Sequence, residues 1–420
     1  MGNRSFAPIQ PLNTQAGWPP VLVAGGFFTG VVLMRELSSH GIDVYCIDPN
    51  ASQPAFRSRY GESFQCPNPD LNPREWVDFM LGLCRRIGKG PIVIIASSDM
   101  FVTALAEHAS KLAEHFIFCQ SSIGMQGLLA TKKRQYDIAA EHGLPTPLTR
   151  FVTCEAEVEE FSQRAVFPAL LKPLHFREWR TLDPNHPLFE QKLITSNDAG
   201  ELLASYRLAA SINSECVVQE IIEGPDTAKL CYLSCYNQKS ERLGWGVVRQ
   251  VRTDPIFFGS ASIVEPVDDT ETASVCDKFL RSIGYAGICE IELKRDTRDG
   301  IVKLIEANPR YSLTSDAAPY MGVELGWLHY LDLIGQAVEP VEPRQTDFRH
   351  IALFRDFACV PSYFCAGLLD WSSLRHSYRR PRHFFDFDRN DPKLSFWHSL
   401  RLLRILAGAI VRSFLPKKRR

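Results

Sequence analysis

Two short runs near the middle of the C-terminal half constrain this chain most. Gly287-Ile288-Cys289-Glu290-Ile291-Glu292-Leu293-Lys294 and Val302-Lys303-Leu304-Ile305-Glu306-Ala307-Asn308-Pro309-Arg310 flank a charged turn at residues 296–300. Alternation with turn residues between predicts a β-hairpin. A period of two places Glu290 and Glu292 on one face of the first strand, and Glu306 and Asn308 on one face of the second. Should the hairpin bring Glu292 beside Glu306, two carboxylates and an amide oxygen would form a hard-oxygen site suited to Mg²⁺. The alternative is a solvated face of ordinary Glu/Lys pairs, against which the apolar residues at the intervening positions argue.

The 420 residues, 45% hydrophobic and 23% charged, are a globular mixture long enough for two to four domains at about 100–200 residues each. Residues 1–20 read as a loose polar leader. From Val21, an apolar run, the turn Gly25-Gly26-Phe27-Phe28-Thr29-Gly30 and a periodic stretch to His40 predict strand, glycine turn and helix; further strands are expected at residues 43–47 and 91–96. This is an α/β, Rossmann-like domain over 21–127. The glycine spacing departs from the dinucleotide fingerprint, although Asp48 stands where a ribose-binding acid would. The glycines are equally explained by a tight strand-to-helix turn. Helices and short strands continue over 128–340, followed by an extension over 341–393.

Twelve cysteines are scattered without a C-x-x-C pair, which argues against a zinc module and for free thiols in a reducing cytoplasm. Net charge is −1, but residues 371–420 carry thirteen Lys/Arg against three Asp, a net of +10 that leaves −11 elsewhere. The acidic body excludes nucleic acid as the main ligand. Residues 394–420 place Arg401, Arg404 and Arg412 opposite Phe396, Leu403, Leu406 and Ile410 on a helical wheel. Two readings stand: a basic amphipathic helix in peripheral contact with the anionic inner face of a membrane, or a helix docked on the body.

Three more segments bear on chemistry: Lys132-Lys133 at a helix start, Lys172 closing the apolar strand 167–173, and Gln219-Glu220-Ile221-Ile222-Glu223-Gly224-Pro225-Asp226 running from strand into turn. A lysine on a buried strand needs an anionic partner. With the hairpin and its Glu306-Ala307-Asn308-Pro309-Arg310, these segments resemble the ATP-grasp superfamily, and within it the carboxylate–amine ligases of the D-aspartate ligase and carbamoyl-phosphate-synthase-like type. The resemblance covers roughly residues 20–340.

It implies a Rossmann-like pre-ATP-grasp domain followed by a two-subdomain α+β ATP-grasp domain, binding ATP with Mg²⁺, or Mn²⁺ in its place. By resemblance, Lys132 (or Lys133) and Lys172 bind nucleotide, and Gln219, Glu220 and Ile222 lie along the adenine. Asp226, with Glu223 second, holds the ribose. Glu292, Glu306 and Asn308 bind the metal. Arg310 and Arg252, with Arg249 as fallback, face the transferred phosphoryl group. The implied activity joins a small-molecule carboxylate to an amine through an acyl-phosphate; a non-catalytic ATP-binding scaffold and a carboxylase-like enzyme are the alternatives. A homo-oligomer is compatible with this reading. One departure stands out: no glycine lies between Lys172 and Gly200, where many family members carry a glycine-rich phosphate loop. Trp179, Arg180 or Lys192 would then have to close the site.

Overall fold

The computed structural model describes residues 17–174, 178–179, 181–189, 191–344 and 346–400. The leader up to residue 16, the side chain of Lys132, Arg180, and residues 401–420 of the expected terminal helix lie outside them. The chain divides into two compact units. One comprises 1–130, 231–290 and 308–420; the other comprises 131–230 and 291–307.

The first unit begins with β1 (Val21–Ala24), α1 (Phe28–Ser39), β2 (Val44–Asp48), β3 (Glu62–Gln65), α2 (Pro73–Ile87), β4 (Ile92–Ala96), α3 (Asp99–Leu112), β5 (Phe116–Ile117) and α4 (Ile123–Leu129). The strands form a parallel sheet in the order β3-β2-β1-β4-β5. β1 is apolar at every position and buried at every position, as a central parallel strand covered on both faces must be. In α2, Trp76, Val77, Met80 and Leu83 make the buried stripe, Pro73 opens the helix, and Gly88 at φ +62° closes it.

The glycine turn is explained by packing. A Cβ on Gly30 would lie 1.9 Å from the Gly25 carbonyl oxygen, so only glycine lets α1 start this close to β1. Asp48 caps the turn, accepting from the Gly26 N–H at 2.8 Å with one oxygen and from the Asn50 N–H at 2.8 Å with the other. Its carboxylate is therefore committed to the backbone, and the dinucleotide reading loses its acidic residue.

The second unit holds α5 (Lys132–Glu141), β6 (Thr149–Val152), α6 (Glu155–Ser162), β7 (Ala169–Pro173), β8 (Ile194–Ser196), α7 (Ala199–Ala210) and β9 (Cys216–Glu220). Its antiparallel sheet has the order β6-β9-β7-β8. α6 and α7 cover it through Val158, Phe161, Leu202 and Tyr206, which pack with Leu171 and Val218.

The rest of the chain comprises β10 (Lys229–Tyr236), β11 (Arg242–Asp254), β12 (Ser260–Pro266), α8 (Thr270–Ser282), β13 (Gly287–Arg295), β14 (Val302–Asn308), α9 (Leu325–Leu333), β15 (Arg349–Ile351), α10 (Leu353–Cys365), α11 (Trp371–Ser377) and β16 (Arg382–Phe384). The sheet order is β14-β13-β10-β11-β12-β15-β16. All eight residues of β10 are buried, so this sheet needs cover on both faces; α8 and α9 both contact β11.

The core of the first unit joins Val21, Val31 and Leu37 to Cys231, Leu233 and Ile288, and to Phe348, Phe385 and Leu394. Two expectations are corrected here. The expected domain 128–340 is divided between the two units, because residues of β10–β12 share a core with the N-terminal strands. Nor is 341–393 a separate extension, since its apolar residues complete that same core. Substituting Gly30→Ala is expected to cost roughly 1–3 kcal/mol through overpacking, read as a lower urea midpoint with an unchanged m-value; an unaltered midpoint would contradict the close approach.

Candidate functional site

The hairpin forms as expected, and the turn 296–300 is stapled by charge. Arg298 donates to both oxygens of buried Asp296 (Nε to Oδ1 2.9 Å, Nη2 to Oδ2 2.6 Å), and the Lys303 ammonium donates to Oδ2 at 2.8 Å. Gly300 takes φ +75° to close the turn. Hydrogen bonds from Arg298 first, then from Lys303, hold the Asp296 carboxyl well below the usual range.

In the first unit, β13 presents Glu290, only 3% exposed. Its Oε2 accepts from Asn308 Nδ2 at 3.2 Å, and its Oε1 accepts from the Thr314 hydroxyl. Burial raises its pKa, while the Thr314 and Ser312 hydroxyls and then Arg310 act the other way. Asn308 Oδ1 accepts from Arg310 Nη2 at 2.9 Å. Arg310 also forks onto Asp99, Nε to Oδ1 at 2.6 Å and Nη2 to Oδ2 at 3.0 Å. The amide thus has its nitrogen toward a carboxylate and its oxygen toward a guanidinium, an orientation set by this network.

In the second unit, Lys172 on β7 donates to Gln219 Oε1 at 3.4 Å, its ammonium 5.7 Å from the centre of the Tyr136 ring. Gln219 donates in turn to the Thr149 hydroxyl at 2.7 Å. α5 is bound to β14 by Tyr136, whose hydroxyl donates to the Ile305 carbonyl at 2.6 Å, and by Gln135, whose Oε1 accepts from the Ala307 N–H at 2.7 Å. Glu220 accepts from the Val166 N–H at 2.8 Å. Asp226 is buried and paired with buried Lys229 at 2.9 Å. Lys294 is buried nearby: burial, then repulsion from Lys229, pushes its pKa down to about 8, with Asp226, Asp296 and Glu223 opposing. Lys294 enters no ion pair among the described residues, so an arriving anion would favour its charged form.

Asn308 and Arg310 are therefore brought together, as are Lys172 and Gln219. Glu292 and Glu306 lie half-buried on β13 and β14, and Ile222 is buried after β9. Arg252 is corrected. The residue is 2% exposed and its guanidinium is held internally: Nε and Nη2 donate to Asp356 at 2.8 and 2.7 Å, and Nη1 donates to the Ser377 hydroxyl at 2.7 Å. It locks α10 to β11 and does not present itself to a phosphoryl group. The fallback Arg249 pairs with Glu265, which also accepts from Arg349 and Arg380. Trp179 is corrected likewise: it is buried with Leu171 and Leu202 in the second unit's core and cannot serve as a lid.

Glu290 was visible in the sequence only as the face-mate of Glu292, yet it is the carboxylate that Asn308 touches. Lys294 continues the same alternation, 290, 292, 294, which could have drawn attention to it. Lys229 and Thr314 carried no sequence signal. Among the described residues no group of three or more His, Cys, Asp or Glu side chains is gathered as a ready-made metal cage. Mg²⁺ takes one or two protein carboxylates and completes its shell with phosphate oxygens and water, so Glu290 fits such a site and Asn308 fits it once its amide turns Oδ1 away from Arg310.

No protein-family model matches the chain. In sequence it is similar to the D-aspartate ligase of Enterococcus faecium, 25% identical over 245 residues that span 56% of each protein. In structure it is similar to N5-carboxyaminoimidazole synthetase from Staphylococcus aureus complexed with ADP (TM-score 0.61, 15% identity, 86% of this chain and 89% of that one). It is also similar to the biotin carboxylase domain of the Hydrogenobacter thermophilus 2-oxoglutarate carboxylase, solved with MgADP and bicarbonate (TM-score 0.59, 14% identity, 78% and 72%). This mixed α/β chain is thus similar in sequence and in fold to ATP-grasp ligases and synthetases. Within them, its relatives by sequence are ligases that join carboxylates to amines. The chain covers less than two thirds of the length of each curated relative it matches.

The stapled turn has a pH signature. Because the Asp296 pKa is depressed on folding, the stability it supplies is present above the ordinary carboxylate pKa and is lost as pH falls below that value. Asp296→Asn should lower stability at pH 7 by roughly 2–3 kcal/mol and flatten the acid limb of a stability–pH curve measured by urea unfolding. An acid limb identical to wild type would refute this.

Proposed function

We propose that the protein is an ATP-dependent carboxylate–amine ligase that forms an amide bond through an acyl-phosphate. The observation that carries this reading is the Glu290–Asn308–Arg310–Asp99 chain of hydrogen bonds at the end of the hairpin. In this reading a substrate carboxylate oxygen attacks the γ-phosphorus of ATP in line and ADP leaves. An amine then attacks the acyl carbon, phosphate departs, and the amine loses a proton. Positioning and electrostatics dominate such a transfer.

Gln219, Glu220 and Ile222 would lie along the adenine. Asp226, held by Lys229, would meet the ribose hydroxyls. Lys172 and Lys294 would meet phosphate oxygens, with the Lys132 side chain a further candidate. Glu290 would offer an oxygen ligand to Mg²⁺, and Asn308 another with its amide turned to present Oδ1; by the family resemblance Glu292 and Glu306 are the further candidates. When bound, the ion neutralises charge on the transferred phosphoryl group. Arg310 would leave part of its fork on Asp99 to meet the acyl-phosphate, whose hydrolysis the site must prevent by excluding water. The substrates are small molecules, and the twelve free thiols suit a reducing, cytoplasmic setting. None of the described helices is long and apolar enough to cross a membrane.

The direct test is ADP release from ATP and Mg²⁺ across a panel of amino acids paired as carboxylate and amine donors. Glu290→Gln and Asn308→Ala should each lower amine-dependent turnover by roughly 10²–10³-fold with the circular dichroism spectrum unchanged. Undiminished turnover in both would remove the metal assignment, and stimulation by bicarbonate in place of an amine would indicate a carboxylase. Lys294 supplies an independent check. With its pKa at about 8, an arriving phosphate favours the charged form, so nucleotide binding at pH 8 should take up a fraction of a proton and binding at pH 6 almost none. Calorimetry in two buffers of different ionisation enthalpy measures this, and the uptake should vanish in Lys294→Met.

A further inference from the structure

α10 is amphipathic in an unusual sense, because both of its faces carry bulky side chains. Inward, at the spacing i, i+3, i+7, lie buried Asp356, Cys359 and Tyr363. Asp356 holds the Arg252 fork and accepts from the Ser262 hydroxyl at 2.8 Å, and the Tyr363 hydroxyl accepts from the Thr253 N–H at 2.8 Å. These bonds fix the helix in rotation, so its other face cannot roll into the core.

That outer face is apolar. Phe357 is 57% exposed, exposed Pro361 and half-buried Phe364 follow it at i+4 and i+7, and Leu368 just beyond the helix is 52% exposed. Trp371, the first residue of α11, is 69% exposed, its ring centroid 4.9 Å from that of Phe364. The patch therefore continues from one helix to the next. A scattered exposed leucine needs no explanation, but clustered exposed aromatics do.

Exposed cations follow it in the chain. Arg375 lies one helical turn from Trp371 on the same face of α11, and Arg379 and Arg382 follow; all three are exposed. None of them enters an ion pair among the described residues. The one acid adjoining Trp371 in sequence, Asp370, is committed as a helix cap, accepting from the Ser373 N–H at 2.6 Å.

We propose that the outer face of α10 with Trp371, Arg375, Arg379 and Arg382 is a docking surface for an anionic lipid bilayer. The occupant follows from charge complementarity. An apolar patch alone would suit a second copy of the chain, but unpaired arginines at its margin suit lipid phosphates, with the indole at headgroup depth and the phenyl rings among the upper acyl carbons. The surface lies outside the candidate ligase site and is independent of the ligase reading. It would hold the protein at a membrane without a spanning segment.

Full-length protein is sedimented with phosphatidylcholine vesicles, with and without one third phosphatidylglycerol. Wild type is expected to pellet with the anionic vesicles and not with the neutral ones. Arg375→Ser/Arg379→Ser should weaken binding roughly 25-fold, at about fivefold per cation, and Phe357→Ser/Trp371→Ser should weaken it at least about tenfold. Both variants keep residues 401–420, so a loss belongs to this patch, and unchanged melting temperatures establish that they fold. In support, tryptophan emission that shifts to the blue on anionic vesicles should lose that shift in Trp371→Phe. Absence of wild-type pelleting, or pelleting undiminished in both double variants, overturns the proposal. So does light scattering that shows a dimer broken by Phe357→Ser/Trp371→Ser with no vesicle binding in wild type.

Discussion

Burial of β10 on both faces governs the architecture of the first unit. Its eight consecutive residues, of which 231–236 with Tyr232, Ser234 and Tyr236 belong to this unit, are removed from water. Such a strand cannot exist without cover on each side, and its own polar groups must be satisfied internally. They are: the Ser234 hydroxyl donates to the Cys289 carbonyl at 3.1 Å, the Tyr232 and Tyr236 hydroxyls meet at 3.0 Å, and Tyr236 donates to Asp277 on α8 at 2.7 Å. The cover comes from distant sequence, including residues beyond 340. What reads in sequence as an appendage is therefore part of the load on which Glu290 and Asn308 rest.

The fold was legible where pattern is local. β1, the glycine turn, α1 and β4 announce themselves by unbroken apolar runs and turn residues, and the hairpin at 287–310 by strict alternation. Compactness was not legible, because it depends on which apolar faces meet. The runs in β10 and β11 look the same whether they close against β7 or against α8, and only the fold decides. The site was legible in the same partial way. Asn308 and Arg310 follow from motif, whereas Glu290 and Glu292 are equivalent by periodicity and are distinguished only by depth, the first being buried and the second half-buried. Arg252 failed for a physical reason: an arginine on a strand beside an expected anion is indistinguishable in sequence from one whose partner, Asp356, lies 104 residues away.

Electrostatics separates two uses of charge in this molecule. Arg252–Asp356 and Asp296 with Arg298 and Lys303 are closed sets, in which each cation meets a carboxylate within the fold. Lys294 is open by contrast: buried, repelled by Lys229, and in no ion pair among the described residues. Closed sets fix geometry, and open sets are where a diffusing anion gains most.

The cysteines carry one more consequence. Nine of the twelve are buried, and burial pushes thiols such as Cys46, Cys216 and Cys289 upward, far from the thiolate form that alkylating reagents require. Only Cys154 and Cys365 are exposed, one in each compact unit. The native protein thus comes with a pair of addressable sulfur atoms already placed, so a maleimide dye or spin label would mark both units without engineering a single residue.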